Sequence, residues 1–146
     1  MKIAVINGPN LDKLGVRETG IYGEESWDDV AKRIKDLAAS LKLEVEFFQS
    51  NHEGELIDYF QGVKADGLIV NLGGYSHTSV ALRDALIICG LPAIEVHISN
   101  IFRREKFRRK SLIADVAMGV IAGLGGEGYL LAMVALARLL EETPPK

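Results

Sequence analysis

The sequence predicts a three-layer α/β sandwich around a five-stranded parallel sheet in the flavodoxin-like order 2-1-3-4-5. Three observations carry this. Five short apolar runs alternate with helical patterns along the chain, as expected for repeated β-α units. Two of the runs, Lys2–Ile6 and Gly67–Asn71, are apolar without interruption, as strands are when helices cover both sheet faces. The second run, Leu43-Glu44-Val45-Glu46-Phe47-Phe48, alternates instead, which places it at an edge. Right-handed crossovers leave few other topologies. In this order strands one and three are neighbours, and ligands bind above the carboxyl ends of the strands at that switch point. Those ends carry Asn7 to Asn10, Asn71 to His77 and His97 to Asn100.

Strand one ends in Asn7-Gly8-Pro9-Asn10, a cluster of turn formers. From Leu11 to about Glu25 no period is visible; with Gly15, Gly20 and Gly23 as hinges, this stretch suits a mobile lid. Ser26 caps a helix on which Val30, Ile34, Leu37 and Leu41 repeat at helical spacing. After the alternating strand and the polar Gln49–His52, a second amphipathic helix is expected over Glu53–Val63. Strand three, Gly67–Asn71, leads through a loop at Gly73–Thr78 into a helix running to about Cys89. That helix is apolar on most sides, with Arg83 and Asp84 the exceptions, so a second cover such as a partner subunit is expected. Pro92 precedes strand four, Ala93–His97. A fifth strand is expected over Val116–Leu124 and a last helix over Tyr129–Leu140.

The 146 residues, 48% hydrophobic and 25% charged, fit one domain, 1–146, able to bury a core without disulfides. A net charge of −3 does not suggest a nucleic-acid binder. The single cysteine, Cys89, excludes an internal disulfide framework and favours a reducing compartment. Met1-Lys2 leads directly into a strand and no apolar stretch is long enough to span a bilayer, so no membrane association and a cytoplasmic location are expected.

Chemistry concentrates in LPAIEVHISN, Leu91–Asn100. Glu95 and His97 are two apart, so on a strand they share a face, and a carboxylate beside an imidazole fixes its tautomer and raises its basicity. A core histidine beside a solvated glutamate is the plainer alternative. On the lid, Arg17 and Tyr22 form a second pair, in which guanidinium charge would favour the tyrosinate. Arg103–Lys110 holds six basic residues in eight positions; most should form a solvated face, with one or two reaching an anionic or hydroxylated ligand. Gly123–Gly128 matches GxGxxG, but the chain ends before the acidic strand such a site needs about 20 residues on; tight strand–helix packing explains these glycines. Asn7 and Asn71 lack the charge of a Mg²⁺ cluster. His52, His77 and His97 lack short metal-ligand spacing, although a zinc-dependent hydrolase and a carboxylate-binding module stand as alternatives.

Taken together, NGPN (Asn7–Asn10), RETGIYG (Arg17–Gly23), QSNHEGELID (Gln49–Asp58), HTSVALRDA (His77–Ala85), EVHISN (Glu95–Asn100) and REKFRRKS (Arg104–Ser111) resemble type II 3-dehydroquinate dehydratase, in order along nearly the whole chain. The resemblance implies a hydro-lyase converting 3-dehydroquinate to 3-dehydroshikimate in the shikimate pathway or quinate catabolism, by anti elimination through an enolate and with no metal or organic cofactor. It implies Tyr22 as general base beside Arg17, Asn10 holding a water against the enolate, and His97, oriented by Glu95, protonating the departing hydroxyl. Asn71 and the backbone N–H groups of Ile98 and Ser99 would hold the substrate carboxylate, and His77 and Arg108 the ring hydroxyls. Asp84 would reach a neighbouring site within a dodecamer built from trimers. Leu72, Ser76 and Asp115 depart from the family's usual residues; the first two neighbour the carboxylate site.

Overall fold

The computed structural model describes residues 1–16 and 18–143. Five parallel strands form one sheet in the order β2-β1-β3-β4-β5: β1 is Lys2–Asn7, β2 Glu44–Gln49, β3 Gly67–Asn71, β4 Ala93–His97 and β5 Gly119–Ala122. β1 lies between β2 and β3, with Asn7 opposite Asn71, so the polar ends of the first and third strands sit side by side. The expected sandwich and its strand order are the observed ones. β5 is shorter than the Val116–Leu124 expected.

Side chains alternate across the sheet and build one core on each face. Ile3 and Val5 pack with Val30 and Ile34 of α2 (Trp27–Ser40) and with Met133 and Leu136 of α6 (Glu127–Glu142). Ala4 and Ile6 pack on the other face with Leu56 and Phe60 of α3 (Glu53–Gly62) and with Leu82 and Leu86 of α5 (Val80–Cys89). Burying one such aliphatic or aromatic side chain contributes about 1.5–3 kcal/mol. α2 starts where the sequence places it. Ser26 Oγ accepts the Asp29 N–H, and the Asp29 carboxylate accepts the Ser26 N–H in return, a reciprocal cap worth about 1 kcal/mol.

The unpatterned stretch after β1 contains local order that periodicity does not reveal. A 3-10 turn covers Leu11–Lys13, and a single helical turn, α1, covers Thr19–Tyr22. Gly15 and Gly23 sit at φ +86° and +81°, conformations that a side chain would strain. The expected loop at Gly73–Thr78 likewise contains a helical turn, α4 (Tyr75–Thr78), which Ser79 separates from α5 by capping the Leu82 N–H. One or two turns are too short to show a 3.6-residue period. Gly123, Gly126 and Gly128 of this stretch serve close packing, whereas a Cβ on Gly125 would meet no atom within 4 Å. A Cβ on Gly128 would lie 3.2 Å from Val96 Cγ1, and one on Gly123, at φ +90°, would lie 3.0 Å from Asn100 Cβ. Among the described residues no helix is long and apolar enough to cross a membrane.

Candidate active site

The carboxyl ends of β1, β3 and β4 surround a cavity of about 150 Å³. Asn10, Asn71, His77, His97, Ile98, Ser99 and Arg108 line it, and Tyr22 closes one side. Eight of the expected site residues therefore meet at the predicted switch point. Beyond Tyr22 and Arg104 a second cavity of about 700 Å³ opens toward Gly20, Gly23 and Arg103. Tyr22, Ile98, Ser99 and Arg104 border both cavities.

β4 sets the histidine. Glu95 and His97 point to the same face, and His97 Nε2 bonds to Glu95 Oε1 at 2.7 Å. Glu95 is fully buried and His97 only 4% exposed. A buried carboxylate can only accept, so it receives the Nε2 proton and leaves Nδ1 as the ring's other exchangeable position. Glu95 thus stands behind the histidine and not in the cavity. His77, on α4, is fixed from the other side: its Nδ1–H donates to the Lys110 carbonyl at 2.8 Å. The His77 and His97 rings lie 6.0 Å apart and nearly parallel. Burial holds His77 below the ordinary histidine range, with the His97 and Arg108 charges acting in the same direction. It is therefore a neutral imidazole whose Nε2 can accept a hydrogen bond from a hydroxyl.

Asn71 is held by a buried chain that the sequence did not single out. Its Nδ2 donates to the Tyr129 hydroxyl at 2.8 Å, and that hydroxyl donates to Asn7 Oδ1 at 2.8 Å. Asn71 Oδ1 accepts the Gly73 N–H at 3.2 Å. Complete burial pushes the Tyr129 phenol far up, so it remains a neutral hydroxyl that both accepts and donates. Asn10 adopts the left-handed region at φ 69°, tolerable for asparagine, and its N–H donates to Asn51 Oδ1 at 3.0 Å.

The residue facing Tyr22 is the main addition. Arg104 Nη1 donates to the Tyr22 hydroxyl at 2.5 Å and to Ser99 Oγ at 3.3 Å, and its guanidinium lies 5.0 Å from the Tyr22 ring centre. Glu105 links this arginine to the next. Its carboxylate accepts from Arg108 Nε at 2.9 Å and lies 3.8 Å from Arg104 Nε. Its own backbone N–H and both guanidinium groups hold the carboxyl below its usual range. Arg104 belongs to the basic stretch from which one or two ligand-directed side chains were expected, but spacing could not select it. Arg17, the partner expected for Tyr22, lies outside the described residues.

Asp84 is exposed on α5, away from this cavity, among the exposed Val80, Ile87 and Ile88. His52 precedes α3 and does not line the cavity either. The three residues expected to depart from the family's usual pattern are locally satisfied. Leu72 is a core side chain, Ser76 Oγ donates to the Gly73 carbonyl at 2.8 Å, and Asp115 pairs with Arg83.

Comparison with known proteins shows the family of the chain. The family model for class II dehydroquinase matches residues 1–137. The chain is 52% identical to the 3-dehydroquinate dehydratase of a Nitratiruptor species over 144 residues, 97% of this chain and 92% of that relative. It is 52% identical to the 3-dehydroquinate dehydratase of Thermotoga petrophila over 142 residues, 97% of this chain and 99% of that one. Among solved structures, the type II dehydroquinase of Butyrivibrio crossotus superposes with a TM-score of 0.90 at 46% identity, covering 93% of this chain and 97% of that one. With the family model, the relatives and the solved structure in agreement, the chain belongs to the class II dehydroquinase family.

Proposed function

We propose that this protein carries out the dehydration of 3-dehydroquinate to 3-dehydroshikimate in the cavity at the ends of β1, β3 and β4. The single observation that carries the assignment of roles is the Arg104–Tyr22–cavity–His97–Glu95 arrangement: a phenol bonded to a guanidinium on one side and a carboxylate-backed imidazole on the other. Tyr22, its hydroxyl held by the Arg104 guanidinium, acts as the base that removes the proton beside the substrate ketone. Charge then develops on the ketone oxygen and must be met by fixed donors; Asn10 serves here by holding a water. His97 gives a proton to the departing hydroxyl, which leaves as water, and Glu95 balances the charge of the imidazolium while it exists. The bond from carbon to hydroxyl breaks as the ring double bond forms. Tyr22 then returns its proton to solvent and His97 regains one.

Binding follows the same walls. Asn71 and the Ile98 and Ser99 backbone take the substrate carboxylate, with Arg108 and His77 on the ring hydroxyls. Arg17 would complete the surroundings of Tyr22. The reaction as written draws on side chains and water alone. Residues 1–146 act as a single catalytic domain. The apolar Val80, Ile87 and Ile88 around Asp84 support an assembly in which α5 meets a neighbouring subunit, a dodecamer of trimers, and sedimentation would reveal its mass. A cytoplasmic location is part of the same reading, and fractionation tests it.

The deciding experiment follows the ultraviolet absorbance of the conjugated enone product after 3-dehydroquinate is added to enzyme treated with borohydride and a chelator. Rising absorbance supports a dehydratase that needs neither a reducible imine nor a metal. A flat trace with untreated enzyme also inactive would overturn the assignment. Loss after chelator alone would point to a metal site at the histidines.

A further inference from the structure

We infer that Ser111 is a positioning residue for the dehydration proposed above, acting through Glu95 on His97. Glu95 is fully buried, yet its two oxygens are treated unequally. Oε1 accepts both the His97 Nε2 proton, at 2.7 Å, and the Ser111 hydroxyl, at 2.5 Å. Oε2 has no hydrogen-bond partner among the described residues. Apart from the histidine it serves, the carboxylate is therefore oriented by one donor among the described residues. That donor is itself aimed, because Ser111 Oγ accepts the Ile113 N–H at 3.2 Å and this turns its proton toward Glu95.

The rear of the site gives this bond its importance. Glu95, Ser111, Asn100 and Arg109 border a cavity of about 390 Å³ that shares Ile101 with the walls of the substrate cavity and contains neither Tyr22 nor His77 nor His97. Without the serine hydroxyl, the carboxylate could rotate so that either oxygen faces this space, and His97 would lose its fixed acceptor. Ser111 also closes a short segment that secures both histidines. The Lys110 carbonyl holds His77, and Arg108 reaches the substrate cavity. Ser111 itself does not line the substrate cavity, so its influence should fall on proton transfer and leave binding unchanged.

This inference rests on the dehydratase reading, and one set of assays separates the two. Steady-state turnover of 3-dehydroquinate would be compared for wild type, Ser111→Ala, Ser111→Cys and Ser111→Thr, with the melting temperature of each. Loss of a hydrogen bond to a charged group predicts a kcat about ten- to a hundredfold lower for Ser111→Ala, with KM within about twofold. Ser111→Thr keeps the hydroxyl, and the rear cavity has room for its methyl, so it should restore near-wild-type kcat. Cysteine, a weak donor of similar size, should fall between, and it carries the test if the alanine variant does not fold. Unchanged kcat in the alanine and cysteine variants, a defect confined to KM, or a threonine variant as slow as alanine would overturn the role of Ser111. An inactive wild type would instead overturn the dehydratase reading.

Discussion

The Tyr22 hydroxyl accepts a hydrogen bond from Arg104 at 2.5 Å, across 82 positions of sequence. Arg104 is anchored from three other directions, by Ser99 Oγ and by the carboxylates of Glu105 and Glu18 at 3.8 and 3.9 Å. The charge beside the phenol is thus fixed in place before any ligand arrives, which is what preorganised electrostatic catalysis requires. Arg104→Gln keeps much of the side-chain length but removes the charge, and kcat should fall roughly a hundredfold. Arg104→Lys should recover part of the loss, since an ammonium supplies charge without the planar fork. Steady-state kinetics on both variants would check this, and a glutamine variant as fast as wild type would remove Arg104 from the mechanism.

The proposed base and acid stand on different elements, α1 and β4, and both line the substrate cavity. Tyr22 is half-buried, and Tyr22→Phe deletes one oxygen. His97→Ala deletes a ring that faces the cavity. Each variant should lose at least about two orders of magnitude in kcat while its circular dichroism matches wild type. Turnover close to wild type in either variant would cancel the role given to that residue.

The legible parts of this molecule were those written in local patterns. β1 and β3 announce themselves as uninterrupted apolar runs, and Glu95 and His97 share a face because strand residues two apart must do so. Tyr129 did not reveal its role, because a tyrosine at the start of an apolar helix looks like core; its hydroxyl matters through Asn7 and Asn71, 122 and 58 positions away. Ser111 was hidden for the same reason. It reads as the last residue of a basic motif, and only the approach of that segment to β4 puts its hydroxyl on Glu95. Arg104 was one of six equivalent-looking cations. In each case the missing information was a long-range contact, which no period or spacing encodes.

His77 supplies a test by pH. Its burial, aided by the His97 and Arg108 charges and opposed by the Lys110 carbonyl and Glu95, holds it below the ordinary value of 6.5. Between 6.5 and the lowered folded value, the unfolded chain binds a proton there that the folded chain does not. Stability due to this group is complete above 6.5 and is lost as the pH falls through that window. His77→Asn keeps an N–H for the Lys110 carbonyl but does not titrate, so its denaturation midpoint should vary less with pH over the window. Equal slopes for the two proteins between pH 6.5 and acid would refute the assignment to His77.

The buried hydroxyl of Tyr129 should be worth more than its size suggests. Tyr129→Phe preserves the packing against Trp27, whose ring centre lies 5.3 Å away. It strands Asn7 Oδ1 and one Asn71 Nδ2 proton without partners. Leaving buried polar groups unsatisfied costs about 1–3 kcal/mol. Because Asn71 is assigned to the substrate carboxylate, KM should rise more than kcat falls. Urea denaturation and steady-state kinetics on one preparation would measure both, and an unperturbed KM would separate the Tyr129 chain from substrate binding.

Gly8 sits where the first and third strands deliver their polar ends to the cavity. Its N–H donates to the Asn71 carbonyl at 2.7 Å, and a Cβ there would fall 2.2 Å from the Leu72 carbonyl oxygen. The obstacle is backbone, which cannot swing aside as the end of a side chain can, so Gly8→Ala must separate the ends of β1 and β3. The expected cost is on the order of 3 kcal/mol. The displacement should also reach Asn10 and Asn71, which flank the two backbones in contact. Gly128→Ala is the matched control, because its Cβ would meet a methyl group, Val96 Cγ1, at 3.2 Å, and a small shift of that side chain relieves the contact. Melting temperature and kcat should therefore both drop sharply in Gly8→Ala and little in Gly128→Ala. If the two variants behaved alike, the close approach of Gly8 to Leu72 would not be what shapes the cavity floor.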